Sequence, residues 1–457
     1  MALKLIPKLY NTLTKKIEAL PDKEKLSLFV CGPTVYNYIH IGNARTYVFF
    51  DFFAQFLREL GYDLNYIQNI TDIDDKILAR AKEEHITFEI LANKYLSAYK
   101  EDTEALGINS VTKYVKASRS IDEIISQIEK LVEKGFGYEI ADGVYFEVAK
   151  FPSYGELSGQ NLEALKKAER TEENPEKRSS LDFVLWKKAK EGEPSWESPW
   201  GSGRPGWHIE DTAIAENYLG EQYDLHGGAI DLIFPHHECE IAQAEAISGK
   251  SPYVKHWVHS GFLNLKDEKM SKSLGNIILV RELLLQYDSP TFRYFILSHH
   301  YRSPIEYDPS LLEQAKKSIK RLRSFAKRIK DLPENIFENP PSPIIDDFLK
   351  ALADDLNTPK AIAIIFDLAR EGNQLLDAGK NFNLAGAIKL LSLFEIIFGI
   401  PLFLEDEIPE EIILTAKKRE IARAGKNFEE ADILRALCTD KGYLINDTAS
   451  GFTIKKI

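Results

Sequence analysis

Along the first third of the chain, apolar and polar positions alternate between two periods. Leu26–Gly32, "LSLFVCG", is an apolar β-type run that ends in a Gly-Pro turn. Asn43–Tyr62, "NARTYVFFDFFAQFLRELGY", then follows the helical period and stops at Gly61. Asp63–Thr71, "DLNYIQNIT", returns to strand character with β-branched and aromatic residues. This β-turn-α-β order predicts an α/β fold with a parallel sheet and ligands beyond the strand C-termini. From about Tyr114 to Trp200 the pattern is irregular. It holds a charged stretch, "KKAERTEENPEKRSS", and a Trp/Pro/Gly-rich passage, "EPSWESPWGSGRPGW", and reads as an insertion into the α/β unit. Strand character resumes in "YDLHGGAIDLIF". From about Leu311 the chain reads as helical, broken by the linker "ENPPSPI" (Glu338–Ile344), and a last small unit follows Pro409. No internal repeat is found.

At 457 residues the chain exceeds one small core and predicts two to four domains. Hydrophobic residues at 44% and charged residues at 28% fit a globular protein. No run approaches the roughly 18 apolar residues that span a bilayer, and the N-terminus lacks a signal-peptide pattern. Cys31, Cys239 and Cys438 cannot make a disulfide framework, so a reducing cytoplasm is expected. The net charge of −12 argues against indiscriminate coating of nucleic acid. A polyanionic partner still fits if lysines and arginines cluster.

Three stretches can carry chemistry. In "CGPTVYNYIHIGNARTY", Cys31 ends a predicted strand and His40-Ile41-Gly42-Asn43 opens a helix. A His there can donate to a phosphate drawn by free N–H groups and the helix dipole, and Gly42 permits close backbone approach. The same four letters also fit a plain capped helix start. In "LKDEKMSKSLGN", Lys269 and Lys272 lie in a polar loop that can close over a triphosphate and neutralise departing pyrophosphate. A bare lysine pair is equally a solvated loop; the full KMSKS string is far more specific. In "DLIFPHHECEIAQAEA", Pro235 suits a first helical position. That places His236 and Glu240 at i and i+4 on one face, able to share a metal ion or simply a hydrogen bond. His237 and Cys239 are expected to face elsewhere, Cys239 into the core.

Together these strings resemble the class I aminoacyl-tRNA synthetases, with a HIGH-type and a KMSKS-type signature in that order. "NITDIDDKI", "GRPGWHIE", "HGGAIDLIFPHHECEIAQ", "DDLNTPKA" (Asp354–Ala361) and "KNFEEADILRALCTDKGYLINDT" extend the resemblance over nearly the whole chain, towards the cysteine-specific family. The resemblance implies a Rossmann-type catalytic domain split over 1–113 and 201–262, with a connective insertion over 114–200. It further implies a KMSKS-loop and stem-contact region over 263–310, a helical anticodon-stem domain over 311–404 and a small anticodon-binding unit over 405–457. The implied reaction makes cysteinyl-adenylate from L-cysteine and ATP, with Mg2+ accompanying the nucleotide, then transfers the acyl group to tRNA(Cys). A cytoplasmic monomer without membrane attachment is expected.

Carried over by motif, His40, Gly42, Asn43, Lys269 and Lys272 bind ATP, with His40, Asn43 and both lysines catalytic and Asp231 at the ribose. Asn43 replaces the family's second His. Cys31, Gly32, Thr71 and Trp207 match the amino-acid pocket. Family members hold Zn2+ with Cys, Cys, His and Glu; here the matching set is Cys31, Asp211, His236 and Glu240. The carboxylate keeps the formal ligand charge of a thiolate, and the shorter Zn–O bond of about 2.0–2.2 Å, against about 2.3 Å for Zn–S, is offset by the longer reach of Asp. A harder ligand leaves zinc more Lewis-acidic towards the substrate sulfur. Asp211 is expected as a ligand or a water-mediated neighbour of the ion, against the alternative of a three-ligand or zinc-free site.

Lys316–Lys330, "KKSIKRLRSFAKRIK", has eight basic residues and no acidic one, which suits phosphate contacts or merely a solvated face. Base reading is expected in the last unit, with "AKKREIARAGKN" supplying candidates. Two rivals share parts of the pattern: a ligase joining cysteine to an amino-sugar, and an inactive RNA-binding paralogue.

Overall fold

The computed structural model describes residues 5–160, 174–265, 277–330, 332, 343–404, 409–448 and 451–456. Two compact units are present, Met1–Leu402 and Phe403–Ile457. Among the described residues no helix is long and apolar enough to cross a membrane.

The larger unit starts with an antiparallel hairpin, β1 (Lys8–Asn11) and β2 (Lys16–Ala19). Its centre is a five-stranded sheet of β3 (Lys25–Val30), β4 (Asp63–Ile70), β5 (Lys113–Lys116), β10 (Tyr223–Ala229) and β11 (Val254–Ser260). The strand order is β11-β10-β3-β4-β5, and every neighbouring pair is parallel. The chain therefore winds one way from β3 to β5, returns to the other side of β3, and continues outward to β11. The C-terminal ends of β3 and β10 are the switch point where an open α/β sheet binds its ligand. The helix Ile41–Glu59 crosses from β3 to β4 with fourteen of its nineteen residues buried, which explains why its sequence reads as nearly all apolar. It ends before Gly61, whose φ of +85° suits a residue lacking Cβ.

The expected insertion forms its own antiparallel sheet of β6 (Gly137–Ile140), β7 (Gly143–Phe146), β8 (Phe183–Lys188) and β9 (Gly203–Pro205). Two edges differ from the expected boundaries. β5 begins at 113, where the first catalytic segment was expected to end, and β9 lies past 200. Both differences arise from pairing: β5 adds to β4, while Lys187 opposite Arg204 holds β9 to β8. Residues 161–173, within the charged stretch, lie outside the described residues.

β12 (Leu263–Leu265) and β13 (Ile305–Tyr307) form a parallel pair after the catalytic sheet. Helices Pro309–Lys330, Pro343–Ala353, Thr358–Asp377 and Leu384–Phe398 follow. In the first of these, Leu312, Ala315, Ile319, Leu322, Phe325, Ala326 and Ile329 are buried at three- and four-residue spacing, leaving the basic run on the other faces. Of the expected linker Glu338–Ile344, residues 338–342 lie outside the described residues. Asp355, in the "DDLNTPKA" stretch, accepts from the Tyr10 amide at 2.9 Å and the Tyr301 hydroxyl at 2.8 Å, tying this helical layer to the first hairpin.

The smaller unit packs helices Glu410–Ala424 and Phe428–Asp440 with the hairpin β14 (Tyr443–Thr448) and β15 (Gly451–Lys456). Its core is Ile412, Ala416, Cys438, Tyr443 and Ile445. Arg419, one of the candidates for base reading, is buried here and donates to both oxygens of Asp447 at 2.7 and 2.9 Å. A helix facing the core spends that arginine on the fold, so its charge is not offered to RNA.

Candidate active site and metal centre

Cys31 follows β3 directly, and the next residues set its position. The Gly32 amide donates to Asn69 Oδ1 at 2.5 Å, and Thr34 bridges Thr71 at the end of β4. A Cβ on Gly32 would stand 1.7 Å from the Asn69 carbonyl oxygen, so only glycine fits between the two strand ends. Gly32→Ala is therefore expected to cost about 1–3 kcal/mol or more and to displace Cys31. Denaturant unfolding together with zinc content checks this; a wild-type midpoint and metal content would contradict it.

A cleft of about 420 Å3 opens at the switch point, within the range that holds a drug-sized ligand. Cys31, Gly32, His40, Gly42, Asn43, Trp207 and Asp231 all line it. His40 is the N-cap of Ile41–Glu59: its Nδ1 accepts from the Asn43 amide at 3.3 Å, while Asn43 Oδ1 accepts from the His40 amide at 3.2 Å. The reciprocal cap makes Asn43 structurally useful where the family has a second His. Because Nδ1 accepts, the neutral ring carries its proton on Nε2, and the helix N-terminus adds partial positive charge. Asp231 is exposed on the cleft lining. Lys269 and Lys272 fall in 266–276, outside the described residues. The flanks of that segment are placed: Gly261 to Asn264 line the cleft. Ile41 and Val280 donate from their amides to Ile278 and Ile39 carbonyls at 3.0 and 3.1 Å.

Beside the cleft lies a buried group of metal-ligating side chains. Cys31, Asp211, His236 and Glu240 offer ligand atoms within 4.8 Å of one another. His236 Nε2 is 3.0 Å from Asp211 Oδ2 and 3.1 Å from Glu240 Oε1, and Cys31 Sγ is 4.0 Å from the same Glu240 oxygen. Asp211 stands one turn inside the helix Trp207–Leu219, 1% exposed, so it does not serve as a dipole-complementing residue at a solvated helix start. Trp207 stacks on the His236 ring at 4.3 Å between centroids and also lines the cleft, linking this group to the open space. The ring's other nitrogen meets His208 at 2.8 Å, the orienting contact that ligating histidines carry.

The electrostatics favour a cation. Burial, then the charges of Glu240 and Asp211, push the Cys31 thiol well above its ordinary value. Burial and Asp211 push the Glu240 carboxyl up likewise. Asp211 Oδ1 and Glu240 Oε2 are buried without a hydrogen-bond partner, an arrangement that is costly unless an ion completes it. One sulfur, one imidazole and two carboxylates are a donor set zinc accepts.

Comparison with known proteins agrees with this geometry. Residues 17–317 match the family of tRNA synthetases class I (C) catalytic domains, and residues 347–403 match the DALR domain. A cysteine–tRNA ligase of Carboxydothermus hydrogenoformans is 44% identical over 98% of this chain and 100% of its own. One from Thermoplasma acidophilum is 43% identical over 96% of this chain and 98% of its own. This chain belongs to the cysteine–tRNA ligases. Its fold is that of the class I synthetases: a methionyl-tRNA synthetase of Mycobacterium tuberculosis superposes with a TM-score of 0.63 at 15% identity, covering 82% of this chain and 89% of that one.

Within this ligase, the expectations for the helix start and for His237 need correction. The helix after "IFPHH" starts at Glu238, preceded by a wide turn Ile233–His237 with Phe234 extended and a cis Phe234–Pro235 peptide. His237 does not face elsewhere: its Nε2 is 3.1 Å from Cys31 Sγ and 3.9 Å from Glu240 Oε1. Positions i+3 and i+4 share a helix face, so Glu240 meets both histidines. Thr71 is not among the residues lining the cleft; it is buried and donates to Glu210 Oε2 at 2.9 Å. Cys239 is in the core as expected, 3.2 Å from the Tyr154 hydroxyl. The sequence reading missed His208, His226, His259 and Glu210. A usable signal existed in the spacing: six of the ten histidines fall between positions 208 and 259.

Proposed function

We propose that this cysteine–tRNA ligase selects its amino acid through a zinc ion held by Cys31, Asp211, His236 and Glu240 at the edge of the cleft. The ion, when bound, supplies a borderline-soft site for the substrate thiolate, which separates cysteine from serine where an apolar pocket offers only about one to three kcal/mol. The observation that carries this reading is the buried cluster of three acidic groups around one imidazole, with two carboxylate oxygens left without partners. Trp207 closes the amino-acid side, and Gly32 lets the backbone beside Cys31 pack against Asn69 so that the thiol is held in place.

Adenylate formation needs no protein nucleophile. The cysteine carboxylate attacks the α-phosphorus of ATP, and pyrophosphate leaves with its charge balanced by His40, the helix N-terminus behind it, Lys269, Lys272 and accompanying Mg2+. Asn43 holds the His40 ring in position, and Asp231 accepts from the ribose hydroxyls. The ribose hydroxyl of the terminal tRNA(Cys) nucleotide then attacks the acyl carbon and AMP leaves. The basic faces of Pro309–Lys330 suit stem phosphates, and base reading belongs to the unit beyond residue 402. A cytoplasmic setting fits three buried cysteines without a disulfide, and the enzyme is read as a monomer.

The test is Asp211→Ala. Zinc content and cysteine-dependent ATP–pyrophosphate exchange are both expected to fall by at least about tenfold. Unchanged values for both would remove Asp211 from the site.

A further inference from the structure

Cys31 and Glu240 also belong to a second quartet, with His226 and His237, whose ligand atoms likewise lie within 4.8 Å of one another. It is built as carefully as the first. His226 Nε2 is 3.5 Å from Cys31 Sγ and 3.6 Å from Glu240 Oε2, the oxygen that has no hydrogen-bond partner. His237 Nε2 is 3.1 Å from the same sulfur. Each ring is oriented through its other nitrogen. His226 Nδ1 meets the Tyr223 hydroxyl, and His237 Nδ1 meets His259 Nε2 at 2.8 Å, whose Nδ1 meets Thr12 Oγ1 at 2.8 Å. Such outer partners are what fix a ligating imidazole towards a metal. All four side chains are buried, and Trp257 stacks on His226 at 4.4 Å between centroids. Of the four, only Cys31 lines the cleft.

We propose that the zinc ion has two alternative seats sharing Cys31 and Glu240: an inner one completed by His226 and His237, occupied without substrate, and an outer one completed by Asp211 and His236, occupied when cysteine binds. This rests on the zinc reading above and adds to it. Donor type decides the resting seat. The inner set brings one thiolate, one carboxylate and two neutral imidazoles, and two imidazoles suit zinc better than the imidazole and second carboxylate of the outer set. A thiolate at the Asp211 position would leave the formal charge unchanged but supply a softer donor, tilting this balance towards the outer seat. The present carboxylate makes the inner one competitive.

Zinc-edge X-ray absorption on the full-length enzyme reads the first shell directly. Without substrate, one sulfur and two imidazoles are expected. With a non-hydrolysable cysteinyl-adenylate analogue, two sulfurs and one imidazole are expected. His237→Ala should weaken zinc affinity of the substrate-free enzyme by more than tenfold while changing that of the analogue complex far less. Asp211→Cys, which keeps every histidine, should show two sulfurs and one imidazole without any ligand. One imidazole in the free wild-type enzyme, or equal loss of affinity in both states of His237→Ala, would overturn the second seat and leave the zinc reading standing. An enzyme free of zinc in both states would overturn both.

Discussion

Glu240→Ala is expected to yield a folded enzyme that retains no zinc and loses cysteine activation by more than about a hundredfold. Changes to groups that merely orient a ligand weaken metal affinity by about 10–100-fold, and Glu240 is placed as a ligand itself. It lies within 4.0 Å of Cys31, His226, His236 and His237 and is shared by both candidate ligand sets, so its loss strips a donor from each. The fold should tolerate the change. Glu240 is fully buried with one oxygen lacking a partner, and burial already disfavours its charged form. Removing that carboxylate relieves a desolvation cost that offsets the lost contact with His236. Zinc content, cysteine-dependent exchange and denaturant unfolding on one preparation separate these effects. Full zinc content in the variant, or unfolding in place of metal loss, would count against the assignment.

The largest purely structural effect is expected from Asp51→Ala. Asp51, on the buried face of Ile41–Glu59, holds the Arg293 guanidinium at 2.7 Å and accepts from the Asn109 and Ser110 amides at 3.0 and 3.1 Å. Arg293, on the helix Ser289–Leu297, donates in turn to the Phe398 and Leu106 carbonyls at 2.8 and 3.2 Å. One ion pair thus connects the catalytic helix, the end of the helix Phe88–Ala105 and the helical layer. Both partners are essentially unexposed, and an alanine would leave the guanidinium charged and unpaired. Breaking a buried pair from one side costs about 3–5 kcal/mol. Urea unfolding should show that loss, with Asp51→Asn recovering part of it through its one remaining acceptor oxygen. A variant with the wild-type midpoint would mean that Arg293 finds another partner.

What the sequence made legible follows from how local each feature is. The strand and helix of Leu26–Tyr62 carry their own periodicity, and the crossover between parallel strands leaves few topologies. The motif residues His40, Gly42, Asn43, Cys31 and Asp231 come together at one cleft because each follows a strand of the parallel sheet, and Trp207 joins them from the helix that follows β9. The histidine cluster was less legible. His226 and His259 sit inside strands β10 and β11, where polar and apolar letters mix without a clear helical or alternating signature. His237 was assigned away from Glu240 by following only the i+4 relation, although i+3 lies on the same face. Arg419 belongs to a charged run that offers candidates for base reading, and only the return of Asp447 on β14 reveals its burial. Non-local partners of this kind leave no mark on the residues beside them.

The most direct test of the account compares ATP–pyrophosphate exchange driven by cysteine and by serine, in metal-replete and chelator-stripped enzyme whose zinc content is measured in parallel. About one zinc per chain is expected, with cysteine-driven exchange lost on stripping, restored by zinc, and serine near background throughout. Stripped enzyme that still prefers cysteine would contradict selection by a bound ion.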